Sequence, residues 1–188
     1  MSKKGLLILS DGYEQIEALV IHDLLKRVGA NVIVVANKSD NLNIVSNCNL
    51  ICKAELKISD LEFDSVGEKY DFLIIPGGGY VKEAIISEEK IPKLIEKFYE
   101  NKKLIAAICA APMFLNKAKI IKDNTPYTCY PGCEFNNGIY LENEDVVIFE
   151  NIITAKAASK TTLFGYSVIE YLYGNDTVGN LKNNICDL

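Results

Sequence analysis

The sequence predicts an α/β fold over residues 1–188, one domain built on a mostly parallel sheet with helices on both faces. Three observations lead there. Short, wholly apolar runs such as "GLLIL" and "DFLII" alternate with stretches whose apolar residues recur at helical spacing, and buried parallel strands have that continuous apolar character. No repeat, linker or low-complexity segment interrupts the alternation. The chain is long enough for one sizeable core, and its 49% apolar and 24% charged residues are ordinary for a globular protein, which excludes disorder.

Gly5–Leu9 reads as the first strand. Glu14 to Val28 follows as an amphipathic helix, with Ile16, Val20, Leu24 and Val28 repeating every four residues and Ile21 and Leu25 beside them. Gly29 ends it, just after a last turn that carries Lys26 and Arg27. "NVIVVA", Asn31–Ala36, is the next strand, and "LNIVSNCNLICKAEL" a short hairpin. "DFLII" is a strand stopped by Pro76 and three glycines. Ile91 to Asn101 is a helix with Leu94, Ile95 and Phe98 on one face. "KLIAAI" is a strand, and Cys109 to Lys117 a helix. "VVIFENIITA" is two strands around a turn at Glu150–Asn151, and Thr161 to Tyr173 is the last helix.

A net charge of −5, with lysines and acids mixed and no basic stripe, argues against nucleic acid as a partner. The first apolar run is too short for a secretory signal and meets Asp11 and Glu14 too soon, and no run reaches membrane-spanning length. A cytoplasmic protein with reduced thiols is the expectation for the six cysteines. Cys48/Cys52 and Cys129/Cys133 have C-x3-C spacing, but they lie far apart and lack the glycines of zinc knuckles. No metal is expected, and at least one of Cys48 and Cys52 reads as a packed core residue. Packing is also the reading for Cys129 and Cys133, the alternative being a place near the site as a disulfide or a second sensor.

Parallel strands share one direction, so the loops after them share the sheet edge where α/β folds bind ligands. Three such loops carry useful chemistry: "SDGYEQIE", "PGGG" and "CAAP". Cys109 stands where a strand gives way to a helix, among Ala107, Ala110 and Ala111, whose small size permits a tight turn. A helix N-terminus favours thiolate and should lower the thiol pKa; the alternative is a cysteine packed as a small hydrophobe. Glu17 shares the inward stripe of Ile21 and Leu24, so its carboxyl should be partly buried and keep its proton beside a thiolate. Asp11 and Glu14 have the spacing of a helix cap and its third residue. The backbone N–H groups of Gly77 and Gly78, with that of Ala110, are candidates to hold an oxyanion. The one histidine, His22, lies mid-helix on another face and reads as a surface or packing residue.

On "SDGYEQIE", "DFLIIPGGG", "AAICAAP" and the spacing to "IITAKAASKTTLFGYSVIEYL", the sequence resembles the ThiJ/PfpI superfamily, in the branch of the human parkinsonism-associated protein deglycase. The resemblance covers nearly the whole chain. It implies a flavodoxin-like three-layer sandwich, usually a homodimer, that works without a cofactor. It implies that Cys109 is a reactive, oxidisable cysteine, that Glu17 is its protonated partner, that Gly77, Gly78 and Ala110 are backbone donors, and that Tyr130 and Lys156 line the site. The activities implied are glyoxalase action on 2-oxoaldehydes such as methylglyoxal, deglycation of glycated adducts, and oxidative-stress sensing with chaperone activity. A non-enzymatic redox sensor, in which Cys109 becomes sulfinate, is the alternative. The chain departs from the family pattern in four places. Ala111 stands where a glycine is frequent, no histidine lies near Tyr130, Lys156 and Ala155 replace an arginine and a serine, and Ala110 replaces the histidine of the peptidase branch.

Overall fold

The computed structural model describes residues 2–37 and 41–187; residues 1, 38–40 and 188, part of the expected domain, lie outside the described residues. In chain order the elements are β1 (Lys4–Ser10), α1 (Gln15–Arg27), β2 (Asn31–Asn37), β3 (Asn43–Val45), β4 (Ile51–Lys53), β5 (Leu56–Lys57), α2 (Val66–Lys69), β6 (Phe72–Ile75), α3 (Tyr80–Ser87), α4 (Lys90–Glu100), β7 (Leu104–Ile108), α5 (Pro112–Lys117), β8 (Pro126–Tyr127), β9 (Ile139–Tyr140), β10 (Val146–Phe149), β11 (Ile152–Ala155), α6 (Thr161–Tyr173) and α7 (Asn175–Asn184).

Seven strands form the central sheet in the order β10-β11-β7-β6-β1-β2-β5. Every neighbouring pair is parallel except β10 with β11. The strands are apolar on both faces because both faces are covered. Leu6, Ile8, Leu73, Ile75 and Ile105 pack with Leu94, Ile95, Phe98 and Phe114 of α4 and α5. The alternate residues Leu7, Leu9, Ile74 and Ile108 pack with Ile21, Leu24, Leu25, Phe164 and Ile169 of α1 and α6. That period-two division produces the expected three-layer, flavodoxin-like sandwich. Among the described residues no helix is long and apolar enough to cross a membrane.

The chain runs outward from β1 through β2 to β5, then returns to place β6, β7 and β11 on the other side. The sheet therefore reverses its order between β1 and β6, where the ends of adjacent strands leave a crevice. The three candidate loops follow β1, β6 and β7, which are neighbours in the sheet.

Several element ends differ from expectation by one residue, and two helix starts beside the candidate loops matter. α1 starts at Gln15, with Glu14 as its own N-cap, while Asp11 Oδ1 instead accepts the Val45 N–H of the hairpin at 2.8 Å. The helix expected from Cys109 starts only at Pro112, after a turn in which the Ala111 N–H reaches Ile108 O at 3.1 Å. α2, α3, α7 and the short strands β5, β8 and β9 were not expected.

Candidate active site

β7 ends in a kink. Cys109 has φ 65°, the left-handed region, which costs a residue with a Cβ on the order of 1 kcal/mol. Backbone bonds on both sides hold it there: its N–H donates to Ala155 O at 2.9 Å, and its carbonyl accepts the Tyr130 N–H at 2.8 Å. The half-buried side chain is thereby turned out of the sheet plane toward the crevice.

Glu17 approaches from the β1 side. Glu14 Oε2 accepts the Glu17 N–H at 2.8 Å and so fixes the first turn of α1. The Glu17 side chain is 0% exposed, and its Oε2 accepts the Gly77 N–H at 2.7 Å. Oε1 has no hydrogen-bond partner among the described residues; the titratable group set beside the carboxyl, and acting on its charge, is the Cys109 thiol. Gly77 is wedged between the two. A Cβ there would lie 2.8 Å from Cys109 Cβ and 3.0 Å from both Ala110 N and Glu17 Oε2, so only glycine lets the three loops meet this closely.

Burial raises the Glu17 pKa to about 7, with the Gly77 N–H and the thiol pulling it back and Glu14 adding to the rise. Cys109 is pushed up as well, first by burial and then by the Glu17 carboxylate, with the Ala110 N–H opposing. This corrects the expectation of a lowered thiol pKa. The helix dipole that was to lower it begins three residues later, at Pro112, and the sulfur is half-buried against an acid. The two groups titrate as a pair. The first proton leaves near 7 and the second is retained well above that. In the one-proton state, thiolate with carboxylic acid and thiol with carboxylate are two arrangements of the same charge.

A cavity of about 340 Å³ opens over the sulfur, and Cys109, Ala110, Gly78, Lys82, Tyr130 and Cys133 are among its lining residues. Larger hollows, of about 630 and 790 Å³, lie elsewhere and hold no thiol, so chemistry rather than size marks this one. Glu17 lies behind Gly77 and not on the lining. The Gly77 N–H is taken by Glu17 and is not free to hold an oxyanion, which leaves Gly78 and Ala110 for that role. Tyr130 lines the cavity and is 46% exposed. Lys156 is not among the lining residues; it follows Ala155 at the end of β11, where its N–H bonds Asp145 O at 3.0 Å.

Lys82, Glu14 and Asn47 line the cavity without having been singled out for it, and Cys133, read chiefly as a packing residue, lines it as well. For Lys82 there was a usable signal, since it stands in the first turn of a helix that follows the glycine loop directly. His22 is half-buried away from the cavity. Cys129 and Cys133 are buried, Cys52 is half-buried against the core and Cys48 is exposed. Among the described residues no group of three His, Cys, Asp or Glu side chains comes together as a metal site would require.

A doubly wound sheet that holds a strained cysteine over a buried acid, beside the reversal of its strand order, defines a flavodoxin-like α/β protein with a cysteine at its ligand-binding edge. Residues 3–171 match the DJ-1/PfpI family, and the chain belongs to it. The chain is 29% identical to protein dj-1beta of Drosophila melanogaster over 190 residues, which cover 98% of this chain and 97% of that protein. It is 26% identical to glutathione-independent glyoxalase DJR-1.2 of Caenorhabditis elegans, over 98% and 96% of the two chains. It is 29% identical to protein DJ-1 homolog B of Arabidopsis thaliana over 91% of this chain, but that match spans only 38% of the plant protein. Among solved structures it resembles Drosophila DJ-1beta with a TM-score of 0.88 at 26% identity, covering 99% and 98% of the two chains. Oxidized Toxoplasma gondii DJ-1 is similar at a TM-score of 0.86 and 26% identity, over 98% of both.

Proposed function

We propose that the chain, as a single cytoplasmic domain, is a cofactor-independent glyoxalase that converts 2-oxoaldehydes such as methylglyoxal into 2-hydroxy acids. The observation that carries this reading is the fully buried Glu17 carboxyl, anchored by Gly77 and set beside Cys109 beneath a small cavity. The similarity to a nematode protein named as a glutathione-independent glyoxalase supports it.

In the thiolate and carboxylic-acid arrangement, sulfur attacks the aldehyde carbon, and the oxyanion takes up a proton to give a hemithioacetal. The N–H groups of Gly78 and Ala110 face the developing oxyanion. Glu17, by then a carboxylate, takes the proton from the former aldehyde carbon to form an enediol and returns it to the adjacent carbon, leaving a thioester. Lys82 on the cavity wall offsets the negative charge of the enediolate from which the enediol forms. Water then cleaves the thioester, releasing the hydroxy acid and restoring the thiol. Deglycation would use the same attack on a glycated adduct.

The test is D-lactate formation from methylglyoxal by the wild type, Cys109→Ser and Glu17→Gln. Turnover lost in both variants is the expected result; turnover retained in either would end the proposal. A redox-sensing role for the same thiol has one specific observation in its favour, the similarity to a DJ-1 solved in an oxidized form.

A homodimer has its own support. Ile16, 53% exposed, and Leu19 on α1 are open to solvent, as are Val45, Leu50 and Ile51 of the β3–β4 hairpin, with Ile51 63% exposed. Bonds from Gly12 N to Val45 O and from Asn47 N to Tyr13 O, at 2.8 and 2.9 Å, tie the hairpin that carries one set to the loop leading into the helix that carries the other. Apolar residues exposed in this way suit a second copy of the chain.

A further inference from the structure

The cavity holds a second sulfur that the proposed chemistry does not use. Cys133 is 1% exposed and lines the same wall as Cys109. A turn brings it there. The Cys133 N–H donates to Tyr130 O at 2.9 Å across Pro131 and Gly132, and Gly132 has φ 84°. Proline second and a left-handed glycine third define a type II turn. No atom crowds Gly132, so backbone conformation rather than space calls for the glycine. The turn is bolted to the reactive residue itself, because Tyr130, its first member, donates its N–H to the Cys109 carbonyl at 2.8 Å. The two thiols are close enough for the charge of one to oppose that of the other. Burial holds the Cys133 thiol above its ordinary pKa, and Lys82, on the same cavity, opposes that rise. Cys129 is fully buried and does not line the cavity.

We infer that Cys133 is the resolving thiol of Cys109, so that a hydroperoxide converts the site into a reversible intramolecular disulfide. In the first step the Cys109 sulfur attacks the distal oxygen of the hydroperoxide. The S–O bond forms, the O–O bond breaks, and the proton shared with Glu17 leaves with the alcohol or water. Sulfur is oxidised by two electrons and the peroxide is reduced. In the second step the Cys133 sulfur attacks the Cys109 sulfenic acid. The S–S bond forms, the S–O bond breaks, and hydroxide leaves as water with the Cys133 proton. An external dithiol reverses the change by exchange. Tyr130, Pro131 and Gly132 are exposed, so the sulfurs can close on each other by moving a surface turn rather than a core strand. A disulfide formed this way pre-empts the second oxidation that would give sulfinate. The inference shares with the proposed function only the nucleophilicity of Cys109, not its aldehyde chemistry.

The test treats the reduced full-length protein with one equivalent of hydrogen peroxide, blocks free thiols with N-ethylmaleimide, and maps peptides without reductant. The wild type should lose two hydrogens, yield a crosslinked Cys109–Cys133 peptide and return to its starting mass with dithiothreitol. Cys133→Ser should give a dimedone-trappable sulfenic acid and then roughly tenfold more sulfinate at Cys109. Cys133→Ala, which keeps the buried position apolar, guards against misfolding of the serine variant and should behave the same. Cys129→Ser should still form the crosslink. Equal sulfinate yields in wild type and both Cys133 variants, or a crosslink that uses Cys129, would overturn the inference. Methylglyoxal turnover is measured on the same preparation. Turnover without the disulfide sinks the resolving role alone, and the disulfide without turnover sinks the glyoxalase alone.

Discussion

Replacing Glu17 by glutamine separates what the buried acid costs from what it does. The variant keeps an oxygen for the Gly77 N–H and removes only the charge. The native carboxyl is 0% exposed and its pKa rises from 4.5 to about 7. At about 1.4 kcal/mol per unit, that displacement corresponds to about 3 kcal/mol. The folded pKa lies above the unfolded one, so the contribution is fully present below about pH 4.5, where both states hold the proton. It is lost as pH rises toward 7, because the unfolded chain ionises first. Glutamine has no such dependence. Urea titrations at about pH 4 and about pH 8 should therefore show the variant gaining about 3 kcal/mol on the wild type between the two, a midpoint shift of about 1.5 M at an m-value of about 2 kcal/mol/M. Keeping to pH 8 or below avoids ionising thiols in the unfolded state. A stability difference that stays constant across this range would show that Glu17 is not held protonated by burial, and the shared-proton account of the site would go with it.

The pH profile of kcat/KM for methylglyoxal should rise through about 7, because loss of the first proton from the pair, from Glu17, gives the one-proton state from which the thiolate arrangement is reached by moving the remaining proton; a profile flat from about pH 5.5 to 8.5 would contradict this. Gly77→Ala places a methyl 2.8 Å from Cys109 Cβ and should lower turnover by about a hundredfold and stability by about 1–3 kcal/mol, read from steady-state kinetics and thermal melts; near-native values for both would show that the loops are not clamped. Ile51→Asp combined with Ile16→Asp should halve the mass seen by light scattering while far-UV circular dichroism is unchanged, and an unaltered mass would remove the dimer from that face.

The central sheet was legible because strands buried on both faces leave an unambiguous mark. The runs ending at Leu9, Ile75 and Ile108 could hardly be anything else, and their parallel direction brought three loops to one edge. Glu17 was legible from its phase with Ile21 and Leu24. The start of the helix after Cys109 was not, because the left-handed conformation of that cysteine is imposed by Ala155 and Tyr130, which are distant in sequence. The direction of the thiol shift was misread for a related reason. A dipole can be inferred from local order, but the depth of a sulfur and the acid behind it are tertiary facts. α7 escaped notice because Val178 and Leu181 are its only buried residues, too sparse to show a period. Cys133 reaches the cavity through a Pro-Gly turn whose anchor is again Cys109.

That anchoring has a consequence for the order in which the protein is made. The amide of Cys109 is gripped by Ala155, a residue synthesised long after it. Until β11 has left the ribosome and joined the sheet beside β7, nothing forces the cysteine into its tense shape or seats it over the acid. A nascent chain thus carries its sulfur in a relaxed, unremarkable setting, and the arrangement over the acid comes into being only when the segment through β11 is available to assemble it.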